Sequence, residues 1–293
     1  MSYSSGVSGL GFHRVTQAIA YLKDLWMRRE FAVALGLGNL RARNASTSLG
    51  LLWWILNPML LGGVYFIVFG LIFGGRRPDD FLVYLLIGMF VFHFTSQSMT
   101  GGANAIIQNA RLLANLRFPR LILPISALIE SLVGFLASLV IVAIAVLIFS
   151  ATLDPQSADL SLGVIPHLSF RLIYLPFIVG LQLLFNLGLG CITARLAVPF
   201  RDINNLLPYV NRIWLYLTPV IWPLSFLDEV SGPIQTLVRL NPMYDIVGVY
   251  RSIFFGAPII LDQVVGAIIW SIAIGVIGVA AFVRHEGHIV RHL

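Results

Sequence analysis

The chain predicts an all-α membrane protein: six transmembrane helices, an N-terminal amphipathic interface helix, and short re-entrant helices after the fifth span. Three observations carry that reading. The chain is 58% hydrophobic and only 11% charged over 293 residues, where globular domains run ~45–50% apolar and ~25% charged. Apolar runs recur near 49–74, 81–101, 121–150, 171–194, 206–223 and 259–283, and a helix needs ~20 residues to cross a ~30 Å hydrocarbon core. Most are apolar all round, the pattern of spanning helices and not of the alternating strands of an outer-membrane barrel. The third observation is the placement of charge. With the N-terminus in the cytoplasm, the inside segments hold thirteen cations, among them Arg14, Lys23, Arg41, Arg43, Arg111, Arg117, Arg120, Arg195, Arg201 and Arg284, and the outside segments hold five. That bias puts both termini inside. The basic balance is therefore a topology signal with anionic lipid headgroups as partner, not a nucleic-acid footprint.

Each element has its own reason. Residues 1–12 are rich in Ser and Gly, lack the apolar core of a cleavable signal, and read as a flexible cytoplasmic tail. In 13–48, Val15, Ala18, Ile19, Leu22, Leu25 and Trp26 recur at helical spacing, with Arg14, Gln17, Lys23, Asp24 and Arg28 opposite; this is a helix lying in the cytoplasmic interface. The chain then climbs through Gly36, Gly38, Arg41 and Arg43 into the uncharged run that begins the membrane domain, 49–283. Spans one and two meet at a tight turn, Gly74 to Asp80, whose Pro78, Asp79 and Asp80 are turn residues. Between spans two and three, Ile106, Ala110, Leu113 and Arg117 share one helical face before Phe118-Pro119 breaks it. A short helix of that kind suits a groove on another protein. After the fifth span, 224–258 is punctuated by Pro233, Pro242 and Pro258, and its apolar pieces are too short to cross; they read as helices that enter and return. Residues 284–293 form a cytoplasmic tail.

Several chemistries find no support. A P-loop needs G-x-x-x-x-G-K-[ST], and Lys23, the only lysine, has no such context. His285, His288 and His292 lack the spacing of a helical zinc protease motif, since Ile289 stands where the second histidine belongs. Cys191 is the only cysteine and reads as a packed small hydrophobe. No catalytic cluster emerges. His93, Glu130 and Arg212 are ionisable groups within spans, which makes them functional candidates; snorkelling is the alternative for Glu130 and Arg212.

The pattern resembles the membrane subunit of ABC exporters for lipid-linked polysaccharides, of the ABC-2 type. The residues that carry it are Arg41-x-Arg43, Ser48-Leu-Gly-x-x-Trp53, Asn57-Pro58, Val64-Tyr65, Phe69, Phe118-Pro-Arg120, Leu123-Pro124, Phe200-Arg201-Asp202, Asn241-Pro242 and Arg251, in order along nearly the whole chain. Ala42 stands where the family often has an aromatic between the cations. The resemblance implies a homodimer in the bacterial inner membrane, paired with two copies of an ABC ATPase. ATP and Mg would sit on that partner, and this chain would hold no cofactor or metal and catalyse nothing itself. A coupling helix at about 103–117 would dock on the ATPase through Ile106, Asn109, Ala110, Leu113 and Arg117. Arg41 and Arg43 would meet the lipid pyrophosphate of the substrate, because arginine suits bidentate phosphate contact.

A polysaccharide path lined by aromatics lets many weak contacts replace a few trapping ones. Candidates are Trp53, Trp54, Tyr65, Phe66, Phe69, Phe90, Phe94, Trp214 and Tyr216, with Trp222, Asn241, Tyr244 and Arg251 as an outer gate. The arginine-for-lysine bias points to a GC-rich genome, and within this class to galactan export in an actinobacterium, with O-antigen close behind. The rival readings are a small-molecule ABC-2 exporter, a secondary transporter or channel without an ATPase, and a membrane-embedded enzyme.

Overall fold

The computed structural model describes residues 20–44, 48–73, 80–152, 170–200, 202–227 and 232–289, and every regular element among them is helical. The tail at 1–12, the turn at 74–79 and His292 lie outside the described residues. Residues 20–27 are helical, and after a break at Arg28 the chain continues as α1 (Arg29–Asn44). Leu22 and Trp26 are exposed, whereas Tyr21 and Leu25 pack inward.

Five helices are long and apolar enough to cross a membrane. They are α2 (Trp53–Phe73), α3 (Phe81–Gln108), α5 (Ile122–Thr152), α6 (Leu175–Ala197) and α10 (Leu261–Ile289), with the short α4 (Ala110–Asn115) between α3 and α5. α3 runs past the expected 101 to Gln108, and α10 runs past 283 into the stretch expected as tail. The run expected to span at 206–223 behaves differently. It forms α7 (Ile203–Leu217), 15 residues, or ~22 Å at 1.5 Å per residue, short of the hydrocarbon thickness. α7 stops because Thr218 precedes Pro219, which disfavours the helical conformation at the residue before it; Thr218 is extended, at φ −98° and ψ 138°. Two more short helices follow, α8 (Gly232–Arg239) and α9 (Pro242–Phe255).

α3 is the centre of the fold, packed by α5 and α6 and contacted by α2, α7 and α9, while α6 and α10 share the most extensive interface. Glycine permits the closest of these contacts. A Cβ on Gly102 of α3 would overlap the backbone of Gly190 on α6. One on Gly278 of α10 would overlap the backbone of Gly188, and one on Gly188 that of Ile274 and Gly275. Small residues at such crossings let backbones approach, which is how apolar helices gain contact where lipid tails are as apolar as leucine. The main core holds Phe81, Phe90, Phe94, Phe135, Phe185 and Tyr250. A second cluster, at the end carrying Arg117, Arg120 and Arg195 (the basic end), holds Ile106, Leu121, Leu123, Ala194, Phe282 and the buried, free Cys191.

Replacing Gly278 with Leu is expected to wedge α10 off α6. Overpacking of this kind costs about 1–3 kcal/mol, so the thermal midpoint in detergent, followed by fluorescence-detected size exclusion, falls by several degrees or the monodisperse peak is lost.

Candidate functional site

Two features of the fold are built for more than packing: the break after α7 and the outward face of α7 itself. A helix end leaves its last carbonyls without helical partners, and an apolar surrounding offers no water to replace them. Here side chains do so. The Thr218 hydroxyl donates to the Trp214 carbonyl at 2.8 Å and the Trp222 indole to the Tyr216 carbonyl at 3.0 Å. The Arg251 guanidinium of α9 donates to the carbonyls of Pro219 and Val220 and to that of Tyr84 on α3. The Tyr84 hydroxyl is shared between the carbonyls of Pro219 and Trp222, at 3.3 and 3.2 Å. Arg251 is buried and lies over the Tyr84 ring, 3.4 Å from its centroid, a cation–π contact that offsets lost hydration.

Asn241 completes the brace. Its Oδ1 accepts from the Met243 amide at 3.0 Å, capping α9 ahead of Pro242. The same oxygen accepts from the Trp214 indole at 2.8 Å, and Nδ2 donates to the Thr218 hydroxyl at 2.8 Å. The structure thus gathers three of the four expected gate residues, Trp222, Asn241 and Arg251, around one break; Tyr244 follows on α9, half-buried.

α7 has two faces. Leu207, Asn211 and Leu215 are buried, at i, i+4 and i+8. Asn205, Tyr209, Arg212 and Tyr216 are exposed on another side, and Tyr216 meets Tyr65 of α2 across 3.5 Å between hydroxyls. A groove of 480 Å3 lies along this side, lined by Asn204, Asn205, Pro208, Tyr209 and Arg212. Of the aromatics expected to line a path, Phe90 and Phe94 are core residues, each 2% exposed. Phe94 stacks on Phe135 with centroids 4.4 Å apart. Trp214 is turned inward, edge-on to Phe92 and bonded to Asn241. Tyr65, Phe66 and Phe69 are half-buried on α2, Phe66 stacking on Phe81, and Trp53 is exposed. The Trp54 and Arg43 side chains lie outside the described residues, and Arg41 is exposed on the last turn of α1. His93 sits 3.4 Å from Gln97 beside the Phe94–Phe135 stack, away from this groove.

At the basic end, the expected docking helix is interrupted. α3 ends at Gln108, and the Asn109 amide folds back on the Ala105 carbonyl at 2.8 Å. Ile106 is fully buried, Asn109 is buried, and Ala110 and Leu113 are half-buried. Of the five residues expected to dock, only Arg117 is exposed. The exposed side of the loop is instead Ile107, Gln108, Arg111, Ala114, Asn115, Leu116 and Arg117. Past the loop, Phe118 packs edge-on against Phe31 at 5.3 Å. Glu286 of α10 then joins three elements: one oxygen accepts from the Tyr21 hydroxyl at 2.7 Å, the other from the Arg120 amide at 2.8 Å. Burial, then the Glu286 hydrogen bond, push the Tyr21 phenol well above its ordinary pKa. His285, adjacent, faces Arg195 at 3.0 Å.

The sequence profile of the ABC-2 type transporter family matches residues 33–255. The chain belongs to this family. An O-antigen export system permease protein of Myxococcus xanthus is 30% identical over 237 residues, which is 81% of this chain and 85% of that protein. Two O-antigen export system permease proteins of Klebsiella pneumoniae are each 23% identical over 264 residues, 90% of this chain and 93% of theirs.

For an ABC-2 membrane component the groove on α7 is the part that sequence reasoning missed. Arg212 and Tyr216 were singled out one at a time, but their recurrence with Asn205 and Tyr209 at helical spacing, out of phase with Leu207, Asn211 and Leu215, was not read. Arg212 has no acidic partner among the described ion pairs, and an arginine at the centre of a lipid-facing helix costs about 2.5–3.5 kcal/mol on insertion scales. Such a residue belongs against a polar cavity.

The brace is tested by Arg251→Leu. It strands the Pro219 and Val220 carbonyls, and unsatisfied buried acceptors cost about 1–3 kcal/mol each, so the thermal midpoint falls by several degrees, and Arg251→Lys recovers only part of it. At the basic end, Glu286→Gln keeps the size and loses the charge; limited proteolysis is expected to cleave the segment near Tyr21 faster than in wild type.

Proposed function

We propose that this chain is the membrane-spanning permease subunit of an ATP-driven exporter that moves a lipid-linked polysaccharide of the O-antigen type out of the cytoplasm. The support is the naming of its relatives as O-antigen export permeases across most of their length, joined to an α7 face that carries tyrosines and an arginine where lipid would demand aliphatic side chains alone. Composition favoured galactan over O-antigen; the relatives' names favour O-antigen.

Two copies pair across α2 and α7 in this reading. α2 exposes Leu60, Val64, Ile67 and Leu71 on one flank, and α7 exposes Val210 and Ile213 beside its polar stripe. Closing two such faces on each other shields the apolar residues and encloses the stripe as a path. The short α7, the braced turn after it, and α8 and α9 make the fifth crossing together and return to the outer side, giving six crossings with both termini cytoplasmic in the inner membrane. Tyr65, Phe69 and Tyr216 offer ring faces for sugar C–H surfaces. The helix at 20–27 lies in the interface with Leu22 and Trp26 toward lipid. Arg41 and Arg43 stay at the cytoplasmic mouth, where anionic headgroups gather.

A separate ATPase, in two copies with ATP and Mg, docks on the loop between α3 and α5. The docking side is the exposed one: Ile107, Arg111, Leu116 and Arg117. Ile106 and Leu113 instead tie that loop to the core, so a push on it moves α3, α5 and α10 together as packed levers.

A double variant, Ile107→Asp with Leu116→Asp, is expected to leave the subunit monodisperse while co-purification of the ATPase drops at least tenfold. Ile106→Asp is expected to lose folded protein. Normal ATPase recovery with the double variant, measured by pull-down from membranes, moves the docking surface elsewhere.

A further inference from the structure

The groove on α7 has a chemistry of its own, graded along the helix. At its basic end stands Asn204, whose Oδ1 is buried with no hydrogen-bond partner. Four residues on, Pro208 has no N–H, so the Asn204 backbone carbonyl lacks its usual helical donor. Asn204 thus keeps an unpaired acceptor beneath the groove surface, out of solvent contact. Asn205 adds an exposed amide and Tyr209 a ring that is 66% exposed. At the inner end stands Arg212, eight residues or about 12 Å up the axis, exposed and without a carboxylate partner among the described residues. Among the described residues no acid lines the groove, and Asp202, at the helix start, is exposed. At 480 Å3 the groove falls within the range of small-molecule sites.

We propose that this groove is a binding station for the head of the lipid-borne glycan, with Arg212 holding a diphosphate oxygen and Asn205 and Tyr209 holding the first one or two sugars. Guanidinium matches a phosphate group bidentately. The exposed Asn205 amide, donor and acceptor together, matches sugar hydroxyls. An exposed ring matches the C–H face of a pyranose. The gradient also gives an orientation. The diphosphate leads toward the interior of the membrane and the sugars trail toward the mouth. The proposal rests on the export reading above and adds a residue-level site to it. An anionic phospholipid headgroup shares the phosphate chemistry but lacks the sugar.

The test uses the full complex of this subunit with its ATPase in nanodiscs of phosphatidylcholine. The probe is a fluorescent polyprenyl diphosphate bearing a hexose disaccharide. Competitors are the same polyprenyl diphosphate without sugar, and phosphatidylglycerol. Arg212→Gln is expected to weaken probe binding at least tenfold and Arg212→Lys by less. Tyr209→Leu is expected to weaken the disaccharide probe several-fold while leaving the sugarless diphosphate unchanged. Both positions are exposed, and an unchanged size-exclusion profile with normal ATPase recovery controls for folding. Wild-type binding that Arg212→Gln and Tyr209→Leu leave intact overturns this site and leaves the export reading standing. Displacement by phosphatidylglycerol as effectively as by unlabelled glycolipid, with no dependence on the sugar, makes the groove a structural lipid site and overturns the proposal. No binding of the probe by the wild-type complex overturns both.

Discussion

A helix that stops among apolar side chains leaves carbonyls that nothing around it will solvate, and the break after Leu217 is tolerable only because donors arrive from elsewhere in the chain. They come from three directions: Tyr84 on α3, Trp222 within the turn, and Asn241 and Arg251 at either end of α9. The cation among them is itself an expense in such a place. Carbonyl dipoles and the face of the Tyr84 ring take the role of its water, and Gly88 makes the room, since a Cβ there would stand 2.8 Å from the guanidinium. Remove the brace and α7, α9 and the centre of α3 lose their common point of attachment.

The break has a consequence for the surface. A helix of 15 residues, shorter than the spanning helices around it, need not be apolar all round, because its ends are held by protein. α7 therefore carries a buried face, an aliphatic flank and a polar stripe at once. The stripe lies on the same side as Tyr65 of α2, so α2 and α7 together present, in the proposed pairing, both an aliphatic flank and the groups that a sugar or phosphate would meet. Aromatic content by itself is a poor guide to such a path. The phenylalanines of α3 are numerous, but they fill the centre of the molecule, where stacking on Phe135 serves cohesion.

At the opposite end of the same helices, the loop between α3 and α5 divides its residues between two tasks. Ile106, Leu113 and Phe118 hold it to the core cluster, and the Glu286 carboxylate bonds the loop's exit to the N-terminal segment and to α10. A force applied to the exposed side is thereby shared among elements far apart in sequence. Rigid attachment is what lets a short surface segment act as a lever.

Much of this was legible in the chain alone. Composition and run length determined a helical membrane protein, located five long helices, though α3 ends at Gln108 and α10 at Ile289, beyond the expected 101 and 283, placed the cysteine in a packed interior, and excluded a nucleotide-hydrolysing loop. In the run at 206–223 mean apolarity was weighed and periodicity was not, although Thr218-Pro219 and the recurrence of Asn205, Tyr209, Arg212 and Tyr216 were both visible. What no sequence pattern decided was which side of each helix faces inward. Ile106 and Arg117 share an expected face until Asn109 turns its amide back on the helix, and Trp214 belongs to the path or the core according to whether Asn241, 27 residues on, reaches its indole. Those outcomes depend on contacts between distant segments. The membrane determines that each helix forms, because every backbone group must be satisfied within it; only the packing of one helix on another determines where its side chains point.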